Sequence, residues 1–278
     1  MSRLLTLDLS FGFHGSDNIV RLARVFKALS QCRVDLKDYY DKVRESRSPR
    51  LSCLFPNPTL VDPSITLPNL TYRYFLSRAG QPTSVIAKLG EATTAMYIAT
   101  LKDEDDEDGD TNQDDDTDQK VDTNHDVIIK FTACYNKEAH HLLAQAGFAP
   151  KLYFCERVIG GLYMVVMEYV DGKSLWQLRR DKVPIPPIVP KQVEAALHLL
   201  HENDIVFGDL RDPNILYVKS KDRVALVDFD RPGKHGEDRY PATFNTENRM
   251  ADRVNKYIVM LKDDDLSQLE RLKEGLVI

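Results

Sequence analysis

No apolar run in this 278-residue chain approaches the roughly 18 residues that a membrane-spanning helix needs. The amino-terminal stretch MSRLLTLDLSFGF carries Asp8 inside its only apolar segment, so it lacks the core of a secretory signal. Both absences predict an intracellular protein, in cytoplasm or nucleus, with no membrane partner. Cysteine is scarce too. Cys32, Cys53, Cys134 and Cys155 lie far apart and form no C-x-x-C pair, which speaks against a disulfide framework or a zinc knuckle and for reduced thiols. What remains is ordinary globular composition, 42% hydrophobic and 29% charged, at a length that supports a large core.

The net charge of −6 hides an asymmetry. Between Asp103 and Asp126 there are 13 acidic residues opposed only by Lys120, a local charge of −12, so the other 254 residues carry +6. A like-charge tract of this length cannot bury itself and is expected as a disordered loop. Glu104, Asp106, Asp108-Gly109 and Asp115 partly match a calcium loop, but Thr111 stands where an apolar residue is required and neither flank is an amphipathic helix. The positive remainder suits anionic small ligands. No direct nucleic-acid binding is expected.

Periodicity divides the chain into three parts, 1–70, 71–170 and 171–278. In the first, Ile19, Leu22, Phe26 and Leu29 and then Leu36, Tyr39, Tyr40 and Val43 predict two helices, followed by a proline-rich extended linker. In the second, segments near 72–77, 84–89, 96–101, 127–131, 151–157 and 161–167 predict an antiparallel sheet of about five strands, with one helix over 137–146. The third turns helical. Val189, Val193, Ala196, Leu197 and Leu200 form a stripe that should be buried, two short strands follow at 215–218 and 224–227, and helices end the chain.

The chemistry is concentrated in Phe207-Gly208-Asp209-Leu210-Arg211-Asp212-Pro213-Asn214 and in Val227-Asp228-Phe229-Asp230. An aspartate five residues before an asparagine, in a loop after a buried helix, and a second aspartate after a short strand pair is the arrangement phosphoryl transfer needs. One carboxylate sits at the acceptor hydroxyl, while an amide oxygen and another carboxylate hold Mg²⁺ against the phosphates of ATP.

On these residues the chain resembles the protein-kinase-like superfamily over roughly residues 84–240. The resemblance implies an α+β, two-lobed fold with a reduced carboxy-terminal lobe and an amino-terminal helical extension. It also implies roles: Asp209 as catalytic-loop base, Asn214 and Asp228 as metal ligands, and Lys130 at the end of Val127-Ile128-Ile129 as phosphate anchor, with Glu138 its partner from the next helix. Met167 is similar to a gatekeeper, and the backbone of Glu168 and Val170 to an adenine-binding hinge. Gly90 lies in a degraded glycine-rich loop, Leu89 to Tyr97. Arg211 would stabilise charge on the moving phosphoryl group, and Asp230, in place of the usual glycine, would help hold a second metal. The stretches 207–211 and 233–241 look closest to compact fungal kinase-like proteins, including Crinkler-type kinase domains.

The departures restrict the reading. Phe207-Gly208-Asp209 has no arginine beside the base, and Tyr240 is the only hydroxylated side chain between Asp228 and Pro241, so regulation by loop phosphorylation is not expected. Only 50 residues follow Asp228, too few for the helices on which peptides usually dock. Three readings stay open: an atypical protein kinase, a small-molecule phosphotransferase of the aminoglycoside or choline-kinase type, and a pseudokinase-like nucleotide-binding module.

Overall fold

Ser16–Glu45 forms one continuous 30-residue helix, α1, where the apolar pattern predicts two. The segment contains neither proline nor glycine, and Gln31 donates to Asp35 across the expected break (2.9 Å). The computed structural model describes residues 16–45, 55–76, 80, 82–83, 96–102, 124–241 and 257–275. The segment 84–89, Gly90 with its loop up to residue 95, and most of the acidic tract lie outside these. The chain falls into two units, Met1–Pro58 and Thr59–Ile278. Residues 59–61 belong to the second, since Leu60 bridges Val158 and Val61 N donates to Arg157 O (2.9 Å).

The second unit opens with six strands: β1 (Leu70–Leu76), β2 (Pro82–Thr83), β3 (Met96–Leu101), β4 (His125–Thr132), β5 (Leu152–Val158) and β6 (Leu162–Glu168). They form one antiparallel sheet in the order β2-β1-β3-β4-β6-β5. β4 is central and alternates. Val127 and Ile129 enter an apolar cluster with Ala99, Leu101, Met164 and Val166, whereas Ile128 packs with Leu152, Val165 and Met167. The pairing of Lys130 with Val165 and of Ile128 with Met167 places Lys130 on that second face. A one-residue slip would send it to the other side.

After β4 comes α2 (Lys137–Gln145), capped by Asn136, whose side chain accepts from Ala139 N (2.9 Å). Beyond β6 follow β7 (Lys173–Ser174), α3 (Leu175–Arg180), α4 (Ile188–Glu202), β8 (Ile205–Val206), the hairpin β9 (Ile215–Val218) and β10 (Arg223–Leu226), β11 (Gly233–Lys234) and α5 (Lys262–Glu274). The α4 stripe is buried as its spacing predicts, against Leu175, Ile215, Val224, Phe229 and Leu269. This helical part and the sheet are the two lobes. No helix among the described residues is long and apolar enough to cross a membrane.

Candidate active site

Lys130, 5% exposed at the end of β4, ends its side chain between two carboxylates. Its Nζ lies 2.5 Å from Asp228 Oδ1 and 2.7 Å from Asp230 Oδ1. Burial alone would depress the ammonium, but the two aspartates outweigh it and hold its pKa above the ordinary lysine value. Thr132, two residues on along the same strand face, donates to Asp230 Oδ2 (2.8 Å). The expected Lys130–Glu138 pair does not form. Glu138 is exposed in the first turn of α2, where its charge favours the helix amino terminus, while the lysine is buried and already neutralised.

Asp228 adopts φ of 72°, a left-handed conformation that aspartate tolerates better than most side chains. Its neighbour Phe229 is fully buried and holds the turn. The ring stacks flat on His140 of α2 (centroids 4.4 Å apart, planes 4° apart) and meets Phe207 edge-on. His140 is pinned in turn by Tyr135 Oη (2.6 Å) and Pro150 O (2.8 Å), and burial depresses its pKa to about 4, so the ring is neutral. Asn136 adds two ties, donating its N–H to Phe229 O (2.8 Å) and its Nδ2 to Pro232 O (3.0 Å).

Asp209 lies in the loop after β8 and is 3% exposed. Burial raises its carboxyl pKa above the usual range; Arg211 opposes this and Asp228 adds to it. Arg211 Nε is 3.0 Å from Oδ1. Asn214, at the end of the short 3-10 turn Asp212–Asn214, donates Nδ2 to Asp209 O (2.9 Å), so its side-chain oxygen is the atom that could meet a cation. The neighbouring Gly208 has φ of +73°, a left-handed conformation that glycine takes without strain, and a Cβ there would run into Met260 Cε.

The loop is suspended from α5, a role the sequence did not disclose. Asp265, fully buried, accepts from Phe207 N (2.7 Å), Gly208 N (2.9 Å) and His201 Nε2 (2.9 Å). Gln268 Oε1 accepts from Leu210 N (2.7 Å). An Asp and a Gln three residues apart on a polar terminal helix read as solvent-facing residues; only their burial reveals the grip. Tyr240, expected as the one hydroxyl available for modification, is 1% exposed and donates to Asp264 Oδ2 (3.2 Å).

Met167 is 7% exposed on β6, and Glu168 ends that strand. Glu168 N donates to Lys151 O (2.8 Å) and Tyr169 N to Asp126 O (2.9 Å); Val170 N makes no backbone hydrogen bond among the described residues. No cluster of three or more His, Cys, Asp or Glu set for a metal occurs among them either. The hard oxygen donors present are two carboxylates and one amide, a set that suits a divalent cation completing its shell with phosphate oxygens.

Residues 83–257, more than half of the chain, match the protein kinase domain. The chain belongs to that family and has its two-lobed α+β fold. It is 33% identical over 78 residues to serine/threonine-protein kinase PknB of Mycobacterium leprae, covering 27% of this chain and 12% of that protein. It is 34% identical over 126 residues to the eye isozyme of protein kinase C of Drosophila melanogaster, covering 42% and 18%. The chain thus spans less than a fifth of the length of these relatives. Among solved structures, the PK-1 kinase of Cydia pomonella granulovirus superposes with a TM-score of 0.47 at 15% identity, over 75% of this chain and 68% of that one.

Proposed function

We propose that the protein is an atypical protein kinase that moves the γ-phosphate of ATP to a hydroxyl with Mg²⁺. The observation that carries this reading is the meeting of Lys130 with Asp228 and Asp230 in one loop, beside the buried Asp209 and Asn214 of the other. Asp228, Asp230 and the free oxygen of Asn214 would hold the metal, which supplies charge neutralisation to the phosphates. Lys130, now paired with both carboxylates, would bind the phosphates. Asp209 orients the acceptor hydroxyl and accepts its proton, and Arg211 stabilises the charge on the transferred group. Gly90 and the backbone of Glu168 and Val170, beside the gatekeeper Met167, would hold the nucleotide. Glu138 has no part in this state unless α2 moves toward β4.

A small-molecule acceptor is the second reading, favoured by Asp230 joining Asp228 on the lysine. We further place the chain with compact fungal, Crinkler-type kinase domains acting in cytoplasm or nucleus, on the strength of residues 207–211 and 233–241. Radiolabelled ATP offered with Mg²⁺ to protein acceptors and to hydroxylated small molecules tests these readings. Label in protein supports the first and label in a small molecule the second. ATP binding without transfer to any acceptor or to water overturns both in favour of a binding module.

A further inference from the structure

Asp209 meets a guanidinium at each of its oxygens, and the two come from different loops. Arg211, two residues along, faces Oδ1; Arg231 brings Nε to 3.5 Å from Oδ2. Arg231 directly follows Asp230 and is fixed on both sides. Asp230 is held by Lys130 and Thr132, Pro232 O accepts from Asn136, and Gly233 pairs with Val206 of β8. With side-chain exposures of 26% for Arg231 and 4% for Asp209, the pair is better shielded than a surface bridge.

We infer, on the phosphotransferase reading above, that Arg231 is a positioning residue: from the loop of Asp228 and Asp230 it sets its charge against the buried second oxygen of Asp209, so that the base keeps its orientation toward the metal carboxylates without any phosphorylation step. A carboxylate paired at one oxygen can still rotate about its last side-chain bond; a guanidinium charge facing each oxygen favours one plane. The charge also offsets Asp228, the other anion acting on Asp209. The chain needs such a device because Phe207-Gly208 provides no arginine before the base, and the one hydroxyl of the following loop, on Tyr240, is buried.

The test is ADP release from ATP by the full chain, as kcat and KM, for wild type, Arg231→Lys, Arg231→Gln, Asp209→Asn and the Asp209→Asn/Arg231→Gln double variant. Arg231→Gln should lower kcat about tenfold with KM for ATP within about twofold, and lysine should recover at least about a third of the rate. In the Asp209→Asn background the glutamine should cost less than about twofold, because the arginine acts through Asp209. Wild-type kcat in Arg231→Gln, or an undiminished cost without Asp209, overturns the inference. The Arg231 Nε–Hε resonance gives a readout free of turnover: it should exchange slowly in wild type and fast in Asp209→Asn, and equal exchange in both also overturns it. If instead Asp209→Asn keeps wild-type turnover, the phosphotransferase reading itself falls.

Discussion

Lys130 Nζ bridges Asp228 Oδ1 and Asp230 Oδ1 at 2.5 and 2.7 Å, so that one buried ammonium offsets part of the charge of both carboxylates proposed to bind metal. Without the lysine, two partly buried anions would face each other uncompensated. Lys130→Met should therefore destabilise the protein by about 3 kcal/mol or more, the usual cost of breaking a buried ion pair on one side. Added Mg²⁺ should restore more of the melting temperature in the variant than in wild type, because the cation then has no ammonium to displace. Thermal melts of both proteins with and without Mg²⁺ check this.

Gly208 makes the turn that presents Asp209. In Gly208→Ala the side-chain contact is relieved cheaply, since Met260 Cε is the end of a flexible chain, but the left-handed backbone is not. A loss of about 1–2 kcal/mol in stability is expected, with turnover falling and ATP affinity kept. Pairing the change with Met260→Ala should return little of it. Chemical denaturation of the single and double variants decides between strain and crowding.

Asp265 carries three donors on one carboxylate, two of them backbone N–H groups of the catalytic loop. Asp265→Ala leaves those donors buried and unpaired, at a cost of about 3 kcal/mol or more. Asp265→Asn keeps a single acceptor oxygen and should cost less. Hydrogen exchange at Phe207 and Gly208 should accelerate in the alanine variant before the rest of the lobe opens.

His140 gives the structure a dependence on pH. Its pKa is about 4 in the folded chain against an ordinary 6.5, so the unfolded chain binds more protons between those values. Its contribution is complete above pH 6.5 and declines as pH falls toward 4, by about 2 kcal/mol at pH 5. Melting temperature should fall between pH 7 and pH 5 in wild type. His140→Gln, whatever its own stability, should flatten that slope.

Motifs with fixed chemistry at fixed spacing could be read directly. Asp209 and Asn214 meet within one loop, Asn214 Nδ2 on Asp209 O, and the α4 stripe is buried residue for residue. Contacts that depend on distant packing could not. Glu138 follows Lys130 by only eight residues, yet the lysine turns to aspartates about a hundred residues away. Asp265, Gln268 and Arg231 belong to no local pattern. Each acquires its place from burial, which a charge count along the chain treats as surface. One helix stands where the apolar positions of residues 17–46 predict two, because no proline or glycine interrupts the segment.

The central claim is that Asp209 takes part in phosphoryl transfer. Its most direct test is turnover of Mg²⁺·ATP by wild type and Asp209→Asn, with nucleotide affinity measured on both proteins. The account predicts a fall of at least about 100-fold in kcat, with affinity within about threefold. Equal turnover in the two proteins would contradict it.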